Sequence, residues 1–306
     1  MKKCKGLFVA AITVFSLLLC GCENEAPKAA GPQYATTPDK KSTTSLRLAI
    51  HPLHNPQKLI QAYQPLINYL NQNMTKVHFE LEASRDYQTY EAKFRVREPD
   101  FILPNPWQTL EGIKVGYKVI AMAGDADDFK GVFIVRKDSA IRNISDLKGK
   151  IVSYPSRTAL AASIMPQYHL YTHGIDVNKD IENRYVGSQE SAIMNAYLKQ
   201  SDVAVTWPPP WRLFQQDHPD EAAELTLIWE TPPLMNNSVM VRDDIPDGIA
   251  KRVRQLLVEL HQSEEGEAIL NSMSTSKFYL ANNASYEPVR KFIEHFESEV
   301  RPVEQK

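Results

Sequence analysis

The stretch Val152-Ser-Tyr-Pro-Ser-Arg-Thr-Ala-Leu160 carries the residues best suited to chemistry in this chain. It reads as the end of a buried strand, a sharp turn, and a helix through Ala159, Leu160, Ala162, Ile164 and Met165. A helix start leaves backbone N–H groups without partners and carries partial positive charge. Ser156 and Thr158 add hydroxyl donors there, and Arg157 adds a guanidinium. The combination suits a phosphate or carboxylate. The plain alternative is that Ser156 or Thr158 caps the helix and does nothing else.

Three further strand-to-helix turns carry donors: His54-Asn55, Asn105, and Ser188-Gln189. Trp107 and Trp207 also follow strand ends, where an indole could stack on a ligand or pack at an edge. His169 and His173 have a metal-like helical spacing, but no Glu precedes the second His as a zincin needs, so a surface pair is expected and no metal site. No nucleophile elbow, phosphate loop or dinucleotide fingerprint occurs, and Ser156 has no identifiable base, so binding without cofactor is favoured over catalysis.

The elements that must position these turns alternate between strand and helix. Short apolar runs at Leu46–Ile50, Val77–Leu81, Asp100–Leu103, Lys118–Ala123 and Gly131–Arg136 interleave with helical patterns such as Leu59, Ile60, Tyr63, Leu66, Ile67 and Leu70. A second set follows, with strands at 150–153, 183–186, 203–206, 225–229 and 238–242, and helices close the chain from Ile249. The pattern predicts an α/β protein with mostly parallel sheets, whose ligands bind beyond the carboxyl ends of strands. Two donor turns lie in each set, so two lobes could aim them at one cleft.

The first 22 residues read as a targeting segment: Lys2, Lys3 and Lys5, then an apolar run from Leu7 to Leu19 too short to favour a spanning helix. Leu19-Cys-Gly-Cys22 resembles a lipoprotein cleavage box, which predicts lipid on Cys22. The three cysteines are Cys4, Cys20 and Cys22, so cleavage leaves one, and thiol chemistry and disulfides are not expected. Residues 23–45, rich in Ala, Pro, Lys, Thr and Ser, read as a flexible tether. With 35 basic and 37 acidic residues and no basic tract beyond the leader, nucleic acid is not an expected partner.

The ordered set of motifs resembles the PhnD-like periplasmic binding proteins of phosphate, phosphite and phosphonate ABC transporters. The resemblance rests on Pro56–Leu59 with Tyr63–Leu66, Asn105-Pro106, Val135–Ser139 before Asp146–Lys150, and Ser156–Thr158 with Pro166. It continues through Gly174–Asp176, Gly187-Ser188, Ile228–Pro233, Asn236-Asn237 and Tyr286–Arg290. It implies a two-lobed type 2 periplasmic-binding-protein fold, with residues 46–137 plus 224–306 as one lobe, 138–223 as the other, and a hinge near 137–139 and 222–226. It further implies a lipid-anchored, monomeric solute-binding protein in the periplasm or at the cell surface, serving an ABC permease or, alternatively, a membrane sensor kinase. The small oxyanion would be held by Ser156, Arg157, Thr158, Ala159, Asn105, Trp107, Ser188, Gln189, His54 and Trp207. The chain departs from the family where Ser-Arg-Thr-Ala replaces Ser-Thr-Ser-Gly, where Gln189-Glu190 replace His-Asp, and where Trp207–Trp211 replace a Tyr/Asp segment.

Overall fold

The computed structural model describes residues 44–304, so the leader, Cys22 and the tether up to residue 43 lie outside the described residues. The first strand begins two residues earlier than expected. From there the chain runs β1 (Thr44–Ile50), α1 (Pro56–Asn73), β2 (Val77–Ala83), α2 (Tyr87–Arg95), β3 (Phe101–Leu103), α3 (Pro106–Lys114) and β4 (Tyr117–Ala123). It crosses to β5 (Val132–Arg136), β6 (Ile151–Tyr154), α4 (Met165–Thr172), β7 (Glu182–Tyr185), α5 (Gln189–Tyr197), β8 (Val203–Thr206), α6 (Pro208–Asp217), α7 (Pro219–Ala223) and β9 (Leu225–Glu230). It returns through β10 (Ser238–Arg242), α8 (Asp247–Glu259), α9 (Glu264–Ser272), β11 (Phe278–Leu280) and α10 (Glu287–Glu299).

Two sheets result, ordered β11-β4-β10-β3-β1-β2 and β7-β6-β8-β5-β9. The strand directions are mixed rather than mostly parallel. β1 runs parallel to β2 and β3, and β6 parallel to β7 and β8, whereas β10 and β11 enter the first sheet antiparallel and β5 pairs antiparallel with β8 and β9. The antiparallel partners are those beside the crossings, where the chain enters a sheet from the other lobe or folds back on itself.

Local sequence accounts for the helix starts. Asn55 accepts from Lys58 N, with Pro56 in the first turn, and Leu59, Tyr63, Leu66, Ile67 and Leu70 turn inward. Asp86 caps α2 through Thr89 N. Asn105 and Gln108 form a reciprocal capping box at α3. The run Trp207–Trp211 starts α6 because Pro208 suits the first helical turn.

The lobe boundary differs from the expected one. β5 and β9 both belong to the second sheet, where Val132 to Arg136 pair with Glu230 to Leu225. The crossing segments are therefore 124–131 and 231–237, not 137–139 and 222–226. They are bonded to each other: Thr231 N donates to Gly131 O, Gly131 N to Thr231 Oγ1, and Leu234 N to Phe129 O. These bonds satisfy backbone groups that a bare pair of linkers would leave to water. A Cβ on Gly131 would come within 2.6 Å of Ala161 O and 2.5 Å of Pro166 Cγ, so only glycine allows this close approach.

The main core fills the first lobe and extends into the second through Phe129, Leu160, Ile164, Met165 and Trp207. Smaller apolar clusters cover the two faces of the second sheet, one around Phe133, Val152 and Tyr154, the other around Ile134, Ile193 and Phe214.

Candidate functional site

The two lobes meet through a buried set of polar side chains at strand-to-helix turns. From the first lobe come Tyr87 and Glu91 on α2 and Asn105 and Gln108 on α3. From the second come Thr158, Gln189 and Thr206. Tyr87 and Glu91 are four residues apart and share one helix face. Along that face the lobes bond twice. Gln189 Nε2 donates to the Tyr87 hydroxyl at 3.2 Å, while Gln189 Oε1 accepts from Thr206 Oγ1 at 2.8 Å. Thr158 Oγ1 donates to Glu91 Oε1 at 2.6 Å. Asn105 adds a third contact, from Nδ2 to Thr158 O at 3.0 Å.

The 153–160 turn departs from the expected helix start. The segment after Tyr154 makes a single π turn, Leu160–Ile164, before α4 begins, and its N-terminal residue Ala159 makes no side-chain cap. Ser156 Oγ lies 3.1 Å from Thr158 Oγ1 and accepts weakly from Thr158 N at 3.3 Å. Thr158 reaches across the lobes instead of capping. The plain-cap alternative therefore does not describe these two hydroxyls. It does describe Ser188, whose Oγ accepts from Ser191 N and donates to Ser191 Oγ.

Arg157 takes a different direction from its neighbours. Its guanidinium sits 5.2 Å from the Tyr185 ring centroid. It lines an outer cavity of about 970 Å³ with Trp107, Asn178, Arg290 and Arg301, a lining that includes none of Tyr87, Glu91 or Gln189. Trp107 is buried beside that cavity, 5.9 Å from the Arg95 guanidinium. Trp207 packs on Phe129 of the crossing at 5.4 Å, which makes it part of the packing around the crossing segments. Ala159 joins the core. His54 lies at the cleft rim with Lys58, Gln189, Glu190 and Phe214. Of the ten expected site residues, Ser156, Thr158, Asn105 and Gln189 come together; Arg157, Trp107, Trp207, Ser188, Ala159 and His54 do other jobs or stand at the edge.

Glu190, which could have faced an anion, is occupied at the rim. Lys58 Nζ reaches Glu190 Oε2 at 3.0 Å and Asp217 Oδ2 at 2.8 Å, and His218 Nε2 lies 3.3 Å from Glu190 Oε1. Burial works against the Glu190 charge, but the Lys58 and His218 contacts outweigh it and hold its carboxyl below the usual range.

Sequence patterns do not single out Glu91, Gln108 or Thr206. Glu91 is 5% exposed and accepts from Gln108 Nε2 at 2.9 Å as well as from Thr158. Burial pushes its carboxyl above the ordinary value, partly offset by the Thr158 and Gln108 bonds. His51 is buried, donates from Nδ1 to Leu103 O, and is lowered to about 4 by burial. Ser84, just past the end of β2, is 2% exposed and its Oγ has no partner among the described residues. A signal for Glu91 existed: Tyr87, Tyr90, Glu91 and Phe94 share the buried face of α2, and a lone carboxylate among aromatics requires a partner. No group of three or more His, Cys, Asp or Glu residues able to hold a metal occurs among the described residues.

The sequence matches a family model over residues 48–286, described as "ABC transporter, phosphonate, periplasmic substrate-binding protein". It is 22% identical over 186 residues to the probable ABC transporter phosphite binding protein PhnD1 of Prochlorococcus marinus (strain MIT 9301), covering 56% of this chain and 63% of that relative. It is 22% identical over 181 residues to the phosphonates-binding periplasmic protein of Escherichia coli (strain K12), covering 57% and 54%. The chain thus spans less than two thirds of the length of either relative. The fold superposes on the structure of PhnD1 from Prochlorococcus marinus in complex with methylphosphonate with a TM-score of 0.75, at 19% identity, covering 83% of this chain and 99% of that one. That likeness establishes the two-lobed type 2 periplasmic-binding-protein architecture.

Proposed function

Because the chain belongs to the periplasmic phosphonate substrate-binding proteins of ABC transporters, we propose that it is the capture component of an importer and closes its lobes over a small phosphonate-, phosphate- or phosphite-like oxyanion. The observation that carries this reading is the set of neutral donors from both lobes, Thr158, Ser156, Asn105 and Gln189, gathered beside Tyr87 at strand ends. An oxyanion accepts several hydrogen bonds at once, and donors divided between lobes favour the closed state when it binds. The hinge for this motion is the bonded pair 124–131 and 231–237. Ser156 has a hydroxyl neighbour in Thr158, which suits binding rather than nucleophilic attack.

The same reading places the protein outside the cytoplasm, acting as a monomer beside a membrane permease and held by lipid on Cys22. No helix of the described residues is long and apolar enough to cross a membrane. Lipid on Cys22 would supply the attachment. Cys22→Ser is expected to release the protein from membranes, and mass spectrometry of the native N-terminus should find an acylated cysteine; an uncleaved leader refutes the anchor.

A thermal-shift screen with inorganic phosphate, phosphite, methylphosphonate and sulfate tests the capture reading. A ligand that binds only the folded protein raises its melting temperature by mass action. At least one phosphorus oxyanion should do so, and a flat response to all of them, confirmed by calorimetry, removes the proposal.

A further inference from the structure

The cleft that should receive an anion already contains a carboxylate without a bonded cation. Glu91 Oε1 accepts hydrogen bonds from the Thr158 hydroxyl and the Gln108 amide. Both bonds fall on one oxygen, and Oε2 has no hydrogen-bond donor among the described residues. The charged groups acting on Glu91 are Arg95, one turn further along α2, and Glu304, which opposes it. Arg95 is bonded to Glu304 at 2.6 Å and lies near Glu111 rather than reaching Glu91. On the same helix, Tyr87 and Tyr90 are kept neutral by burial, which pushes both hydroxyls well above their ordinary range. The groups that bond Glu91 from α3 and from the second lobe, Gln108 and Thr158, do not titrate.

A second anion drawn to Thr158 would therefore come to rest beside this carboxylate. Two like charges at hydrogen-bond separation in a buried site cannot both stay ionised, and one of the two acids keeps a proton. We propose that Glu91 makes capture proton-dependent: the bound state holds one proton between the Glu91 carboxyl and the ligand oxyanion. The inference rests on the capture reading above and adds a selection rule to it. A protonated oxyanion facing ionised Glu91 and a fully ionised oxyanion facing protonated Glu91 have the same composition and charge, so no covalent bond changes and only one proton is taken from solvent. Phosphonate, phosphate and phosphite are acids weak enough to hold that proton near neutral pH. Sulfate is not, so binding it requires the proton to sit on Glu91 itself, at a greater cost near neutral pH. The cleft should thus accept monoanions that donate one hydrogen bond and reject the fully ionised tetrahedral anion of similar size.

The test is titration calorimetry of the wild-type protein with methylphosphonate, inorganic phosphate and sulfate, each in two buffers of different ionisation enthalpy. At about pH 9, where methylphosphonate is mostly a dianion, linkage predicts uptake of about one proton for each methylphosphonate bound. Sulfate should bind at least about tenfold more weakly than methylphosphonate. In Glu91→Gln, which keeps the shape and removes the charge, proton uptake should fall to near zero and the preference against sulfate should shrink. Methylphosphonate binding with no proton uptake, or wild-type binding of sulfate as tight as methylphosphonate, overturns this inference and leaves the capture reading standing. Binding of none of the three anions overturns both. The wild-type measurements decide the matter even if Glu91→Gln fails to fold.

Discussion

Ser156 and Thr158 face one region and Arg157, between them, faces another. Inside, where the lobes meet, the turn presents hydroxyls to a carboxylate, amides and a tyrosine, and no guanidinium or ammonium bonds into that cluster among the described residues. Outside, Arg157 lies over Tyr185 and beside Arg301, whose guanidinium bonds Gln167 Oε1 and the backbone oxygens of Pro302, Val303 and Arg157. Arg301 has no acidic partner within ion-pair distance among the described residues, and burial together with the nearby Arg157 charge lowers its pKa. The two regions divide the labour of one motif. Directional neutral donors stand where a ligand would be read, and full positive charge stands where it ties the C-terminal segment to the second lobe. A cation in an anion-like motif thus says little about which side of the turn it serves.

The largest expected effect is on ligand affinity. Thr158→Val removes a donor to a charged ligand, a loss of about 1.5–3 kcal/mol or roughly ten- to hundredfold in affinity. Adding Ser156→Ala should deepen it. Arg157→Ala should cost less than about threefold in affinity and act on stability instead, through the lost contact with Tyr185, worth about 0.5–1 kcal/mol at a partly exposed site. Calorimetry with methylphosphonate, on variants shown to keep their folded signal, measures both. A larger loss for Arg157→Ala than for Thr158→Val reverses the division and returns the guanidinium to the ligand.

A smaller effect separates the regions by pH, because guanidiniums do not titrate in the accessible range and the cleft groups do. Glu91 has its folded pKa raised by burial above its ordinary value of 4.5. Its contribution to stability is full below that value and is lost as pH rises through the folded pKa. His51 has the opposite sign. Burial lowers it from 6.5 to about 4, so its contribution is present above 6.5 and is lost as pH falls toward 4. Glu91→Gln should therefore raise the melting temperature at alkaline pH by about 2–4 °C, the shift for roughly 1 kcal/mol in a chain of this size. The gain should vanish as pH falls to the ordinary Glu range. A gain that is the same at all pH values would mean that packing, not charge, limits the cleft.

The comparison also marks what the sequence could carry. Asn105 and Gln189 were legible because capping chemistry and strand-helix alternation fix where a helix begins, and helix starts cluster at strand ends. The two-lobed α/β architecture was legible from the same alternation and from the ordered motifs. The lobe boundary was not. β5 and β9 have the composition of any buried strand, and only the antiparallel pairing of β5 with β8 on one side and β9 on the other places both in the second sheet. The direction of the Arg157 side chain is not legible in the sequence because an irregular turn has no period to read. Glu91 is not legible because it continues an ordinary amphipathic helix, and its isolation shows only when Thr158, 67 positions away, reaches it.

Another small effect is expected at the rim, where charge does bridge the lobes. Lys58 of α1 joins Glu190 of α5 and Asp217 of α6. Burial opposes the Lys58 charge, yet the bonds to Asp217 and Glu190 outweigh it and hold its pKa above the ordinary value, so it is charged at neutral pH. The three side chains are 28%, 37% and 36% exposed, so water and salt screen the attraction. Pairs of this kind contribute about 0–1 kcal/mol. Lys58→Met should weaken methylphosphonate binding by less than about fivefold, and the loss should shrink further at high ionic strength as screening removes what the wild type had to lose. The interior bonds of Thr158 and Gln189 are shielded from that screening. Titrations of wild type, Lys58→Met and Thr158→Val at low and high salt rank the two kinds of contact directly. If Lys58→Met costs more than Thr158→Val, ion pairing at the rim rather than neutral donors in the interior holds the lobes closed, and the contrast between an interior without a bonded cation and a charged exterior no longer explains capture.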